Sequence, residues 1–150
     1  MKKLFYFLAI LGTVFMTSCS KSNEADLTAK WLGVYNNPSS GLTRDNNMTV
    51  SLNNIIVTKV SGSSMKVQIK ALETNYIYTY ATLKNVTLNG ANKATIDEVG
   101  TLAETTGQYH IKGTMTLSGN QVTITATATN MAASQESDVK NINFAGIYNK

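Results

Sequence analysis

From Trp31 to the C-terminus, apolar and polar residues alternate with a period of two. Met48, Val50 and Leu52 alternate with Thr49 and Ser51, and Met65, Val67, Ile69 and Ala71 with Lys66, Gln68 and Lys70. Tyr109, Ile111, Met115 and Leu117 interleave with His110, Lys112, Thr114 and Thr116, and Val122, Ile124, Ala126 and Ala128 with Thr123, Thr125, Thr127 and Thr129. Successive strand residues point to opposite faces, so this is the pattern of a sheet with one buried and one wet face. No comparable stretch has the 3.6-residue stripe of an amphipathic helix.

Turn residues separate the runs. Gly119-Asn120 between two alternating segments is a two-residue hairpin signal, and Ser61-Gly62-Ser63-Ser64 and Asn89-Gly90-Ala91-Asn92 read as turns. The pattern predicts strands over 31–36, 47–53, 55–60, 64–72, 76–88, 93–98, 106–117, 121–130 and 139–148, with a short helical turn or polar loop over 131–138. Short strands joined by tight turns make an antiparallel meander, which closes into a barrel or splits into a sandwich. Trp31-Leu32-Gly33-Val34-Tyr35 at one end and Phe144-Ala145-Gly146-Ile147-Tyr148 at the other favour closure. Pairing of these two segments removes the free sheet edges. The expectation is an all-β chain with a single antiparallel meander β-barrel of about eight strands.

The N-terminus follows a different rule. Met1-Lys2-Lys3 precedes an apolar run from Leu4 to Met16, then Thr17, Ser18 and the single cysteine, Cys19. The run fits the ~7–15 residues of a signal-peptide core and is short of the ~20 of a spanning helix. A basic start, an apolar core and small residues before a lone Cys resemble a bacterial lipoprotein signal. Met16 and Ser18 stand where the usual motif has Leu and Gly or Ala. The resemblance implies a signal peptide over 1–18, a lipidated Cys19 opening a flexible tether over 19–29, and a domain over 30–150. Glu24 and Asp26 after the Cys favour the cell surface over the periplasmic face of the outer membrane. Several acyl chains, at ~0.8 kcal/mol per buried CH₂, anchor a protein without a spanning helix.

Composition changes the picture only modestly. Of 150 residues, 15% are charged, and 13 Lys+Arg against 9 Asp+Glu give a formal charge of +4. Loss of the leader takes Lys2 and Lys3 with it, so the excess basicity belongs partly to targeting and nucleic acid is not an expected partner. One Cys excludes an internal disulfide framework, and one His excludes a multi-histidine metal site.

Gly33-x-Tyr35, Tyr109-x-x-x-Gly113-Thr114, Ser118-Gly119-Asn120 and Phe144-Ala145-Gly146 together resemble the calycin-like β-barrel lipoproteins of Bacteroidetes. The resemblance spans about residues 30–150 and implies a lipocalin-like plan. Lipocalins themselves begin Gly-x-Trp, whereas this chain has Trp31-x-Gly33, so no lipocalin ligand site transfers.

Candidate chemistry is sparse. His110 reads as a solvated strand residue, because catalysis needs a positioned constellation. Asp97-Glu98 are strand neighbours that point apart and do not converge on one proton or metal. No phosphate loop, CxxC pair or nucleophile elbow is present. The reading is therefore non-enzymatic, with no cofactor and no metal. Tyr76-x-Tyr78-x-Tyr80 places three rings on one face, either filling the barrel and its rim or forming an outward strip for sugar or protein. Ile77, Thr79, Ala81 and Leu83 line the other face. Ala126 and Ala128 leave interior volume, taken up by side chains or by a small apolar ligand. The expected function is an envelope binding module for a small apolar ligand, or for a glycan or peptide at the rim. Its candidate contacts are Trp31, Tyr35, Tyr76, Tyr78, Tyr80, Tyr109, Ala126 and Ala128. The alternative is a filled barrel that docks an envelope protein on its outer face.

Overall fold

The computed structural model describes residues 26–44, 49–132 and 141–150. The proposed leader, Cys19, most of the tether and residues 133–138 of the expected 131–138 segment lie outside these residues. Eight strands follow one another in chain order: β1 Gly33–Arg44, β2 Thr49–Lys59, β3 Ser64–Glu73, β4 Tyr76–Leu88, β5 Lys93–Gly100, β6 Tyr109–Ser118, β7 Gln121–Asn130 and β8 Asn141–Asn149. Each pairs antiparallel with the next. β1 closes on β8 through Gly41–Ala145, Leu42–Phe144 and Thr43–Asn143, so the sheet is a closed meander barrel. Among the described residues no helix forms. The expected all-β barrel is what the chain adopts.

The alternating runs bury the residues their period dictates. Met65, Val67, Ile69 and Ala71 of β3 point in, as do Val122, Ile124, Ala126 and Ala128 of β7. Their Thr and Lys neighbours face outward or lie half-buried. The interior is one continuous cluster, with Trp31, Tyr35, Tyr80, Tyr109, Phe144 and Tyr148 as its large members.

Several strand boundaries differ from expectation, most of all in β1 and β2. The segments expected at 47–53 and 55–60 are one strand. β2 runs through Asn53-Asn54 with a register shift against β3 between Leu52–Ala71 and Asn54–Lys70. An extra residue there moves the inward set from Leu52 to Ile55 and Val57. The Asn pair marks a bulge, not a turn. The first strand starts at Gly33 rather than Trp31 and continues to Arg44 past Pro38. Proline cannot donate to a ladder. It sits where β1 carries extra residues against β2, between Asn36–Asn54 and Ser40–Leu52.

Trp31 is not on a strand. Residues 27–31 form a turn in which Trp31 N–H donates to Thr28 O at 2.8 Å. The turn folds across one end of the barrel, with Leu27 N–H donating to Gly62 O and the Trp31 indole N–H to Ala91 O, both at 3.1 Å. Asp26 holds this turn, accepting from Thr28 Oγ1 at 2.5 Å and pairing with Lys59 Nζ at 2.5 Å. The Lys59 ammonium and the Thr28 hydroxyl lower the Asp26 carboxyl to about 2. At the same end Tyr35 O–H donates to Trp31 O at 2.9 Å, and Lys150 Nζ donates to Leu32 O at 2.6 Å. This end, the base, is plugged. The opposite end, the mouth, carries the β3–β4 turn and the β5–β6 loop.

Candidate functional site at the barrel mouth

The eight sequence candidates separate by burial. Trp31, Tyr35, Tyr80, Tyr109, Ala126 and Ala128 are core, each 6% exposed or less. Trp31 and Tyr35 seal the base. Tyr109 lies inside the mouth-side half, with its phenol oxygen accepting from Asn130 Nδ2 at 3.4 Å. Ala126 is small for a reason other than ligand volume. A Cβ built on Gly113 of β6 would lie 2.5 Å from Ala126 Cα and closer still to Ala126 Cβ and the Thr125 carbonyl. The Gly113–Ala126 pair lets two strands approach closely. Cys19 lies outside the described residues.

Tyr76, Tyr78 and Tyr80 descend from the rim into the core. Tyr76 is 58% exposed, Tyr78 half-buried and Tyr80 1% exposed. Ring centroids are 5.6 Å apart for Tyr76–Tyr78, 6.5 Å for Tyr78–Tyr80 and 6.2 Å for Tyr80–Phe144. The expected two-faced ladder is broken at its inner end. Between Ile69–Ala81 and Lys70–Thr79, β4 spends one more residue than β3, and that residue is Tyr80. The bulge turns both Tyr80 and Ala81 inward, and Leu83 follows Ala81 into the core.

Sequence reasoning missed the carboxylates that accompany the rings. Tyr76 O–H donates to Glu73 Oε2 at 2.8 Å, and Tyr78 O–H donates to Glu104 Oε1. Glu73 ends β3, and Glu104 belongs to the β5–β6 loop, far away in sequence. The bond to Glu73 raises the Tyr76 phenol above its usual range. Burial first, then the Glu104 bond, raises that of Tyr78. Both phenols therefore remain protonated donors at any ordinary pH.

Backbone strain marks the same place. Thr74 has φ 48° and Glu104 φ 61°, the two positive-φ non-glycine residues among those described. Such conformations cost L-residues ~1–2 kcal/mol and gather at functional sites. Thr74 opens the two-residue turn between Glu73 and Tyr76, which pair across it. A groove of about 270 Å³ runs between Val50, Leu72, Tyr78 and Glu104. It combines the Tyr78 ring, the apolar flanks of Val50 and Leu72 and the two carboxylates Glu73 and Glu104.

His110 and Asp97 meet on the outer wall, Nε2 to Oδ1 at 2.6 Å, which lowers the Asp97 carboxyl. Glu98 points elsewhere, as its strand position requires, and accepts from backbone N–H groups of β4. Among the described residues no three His, Cys, Asp or Glu side chains gather as metal ligands, and no helix is long and apolar enough to cross a membrane. No family model, no curated protein and no solved structure matches this chain.

Proposed function

We propose that this chain is a lipid-anchored envelope protein whose filled barrel presents a glycan-binding mouth. The observation that carries the reading is the Tyr76–Tyr78 pair at the rim, Tyr76 exposed and Tyr78 half-buried, with Glu73 and Glu104 bonded to their hydroxyls. A pyranose offers C–H groups to an aromatic face and hydroxyl donors to carboxylates. Tyr rings supply the first at low entropic cost, since the phenols are already held in place. An apolar ligand inside the barrel is disfavoured, because aromatic side chains occupy the interior. Among the described residues no nucleophile, base and acid converge at the mouth, and the role proposed is binding.

Anchoring at Cys19 rests on the N-terminal pattern of basic, apolar and small residues before the Cys. The described chain enters the barrel at its base, where Leu27 meets Gly62. A tether attached there directs the mouth away from the membrane, which suits a surface receptor for an external glycan.

The binding test is a glycan array probed with the domain from residue 26 onward, followed by titration. Tyr76→Ala is expected to weaken the selected glycan about tenfold, as loss of one ring stack of ~1–1.5 kcal/mol requires. An array with no hits, or equal affinity in Tyr76→Ala, overturns the reading. Anchoring is tested separately: Cys19→Ser must abolish lipid labelling and release the protein from membranes.

A further inference from the structure

The rim groove is acidic as well as aromatic. Glu73 and Glu104 line it beside the Tyr78 ring and the hydroxyl residues Ser51 and Thr74, and among its described lining residues none is Lys, Arg or His. Both carboxylates act on both phenols. The Tyr76 phenol is pushed up first by its bond to Glu73 and also by the charge of Glu104. That of Tyr78 is pushed up first by burial, then by Glu104, and also by the charge of Glu73. Two negative charges thus share one neighbourhood with two rings whose centroids are 5.6 Å apart.

The phenol bonds do not use up this charge. A carboxylate has two oxygens and accepts several donors at once. The phenols keep their protons, so they donate to the carboxylates without neutralising them. A cation held within ~6 Å of a ring centroid is attracted by the aromatic face, and a hydrogen bond from a cation to a carboxylate is roughly twice as strong as a neutral one. A primary ammonium answers both features. It is a compact cation with three donors, and the groove sets Glu73, Glu104 and the hydroxyls of Ser51 and Thr74 around one space of about 270 Å³. A sugar hydroxyl reaches the same acceptors without the charge.

We propose that the groove selects a glycan bearing a free amino group, with the sugar ammonium beside the Tyr78 ring on the Glu73 carboxylate and a pyranose face against the exposed Tyr76 ring. The inference rests on the glycan reading and narrows it to hexosamines whose nitrogen is not acylated. Acylation removes the charge and leaves the nitrogen a single donor, so the acylated sugar meets two carboxylates with nothing to offset them.

The test is calorimetric titration of the full chain, purified in detergent, with trimers of β-1,4-linked glucosamine, N-acetylglucosamine and glucose. The glucosamine trimer is expected to bind about tenfold tighter than either of the others, by a margin that shrinks as salt is raised, since the contact lies at an exposed rim. Glu73→Gln retains an oxygen for the Tyr76 hydroxyl and removes the charge. It is expected to erase most of the margin and leave the affinity for the glucose trimer unchanged. Equal affinity for the three trimers, or a margin that survives in Glu73→Gln, overturns the inference and leaves the glycan reading standing. A glucosamine trimer that binds Tyr76→Ala as tightly as wild type is held elsewhere and overturns it too. Failure of the glucosamine trimer to bind at all also overturns it, and the glycan array then decides the broader reading by itself.

Discussion

Single residues at the mouth are held in conformations that the chain would not adopt for stability alone. Thr74 occupies a left-handed conformation in a two-residue turn where glycine is the unstrained choice. Thr74→Gly should stabilise the domain by about 0.5–1 kcal/mol, since relief of strain exceeds the added freedom of the unfolded glycine; a urea melt reads this. A loss of stability would mean that Thr74 is not strained. Gly113 is the opposite case. An added methyl meets main-chain atoms of Thr125 and Ala126, which cannot swing aside. Gly113→Ala should therefore cost about 1–3 kcal/mol in the same melt, as overpacking of a close-packed core does. Neither position could be assigned from spacing. Gly113 stands in an alternating run, and Thr74-Asn75 has only the general look of a turn. The carboxylates Glu73 and Glu104 were hidden for a different reason. Glu73 meets Tyr76 only once the β3–β4 turn is formed, and Glu104 meets Tyr78 only when the β5–β6 loop folds back onto β4.

At the level of elements, the period-two pattern was enough to place the strands, and its interruptions carried more information than was read from them. In β2 the inward residues step from Leu52 to Ile55, an odd interval that a bulge satisfies and a turn does not need. In β4 the inward set runs Tyr80, Ala81, Leu83, Val86, with two breaks of phase, and the β4–β5 ladder is interrupted beside those breaks. The N-terminal turn is an element in its own right, fastened to the β2–β3 end by Asp26 and Lys59. Its carboxyl titrates at about 2 when folded, against an ordinary 3.8. The unfolded chain thus binds the proton first as pH falls. The contribution of this contact is complete above pH 3.8 and is lost on acidification toward about 2. Asp26→Asn should flatten that part of the stability profile while leaving the neutral-to-basic part parallel to wild type. An unchanged acid limb, measured by denaturation at stepped pH, would mean that the Asp26–Lys59 pair does not form in solution.

The whole molecule is a barrel with two unlike ends. The base is plugged by Trp31 and clasped by Lys150, which reaches Leu32 O and lies 5.6 Å over the Tyr35 ring. The mouth offers exposed rings, carboxylates and a groove. Closure of the first strand on the last was legible in the sequence, but not through the segments that suggested it: Phe144 and Ala145 lie opposite Leu42 and Gly41, while Gly33–Tyr35 pair with Ile55–Val57 of β2. The distribution of function was not. Aromatic residues at Trp31, Tyr35 and Tyr109 look like binding residues in a string of letters, and only packing shows that they fill the interior while Tyr76 stays exposed and Tyr78 half-buried at the rim. The most direct measurement of this division is an amide chemical-shift map of the domain titrated with the oligosaccharide selected on the array. The account predicts shifts concentrated at residues 72–78 and around Glu104, with the base unmoved. Shifts centred on Trp31, Ala126 and Ala128 would instead place the ligand inside the barrel and contradict it.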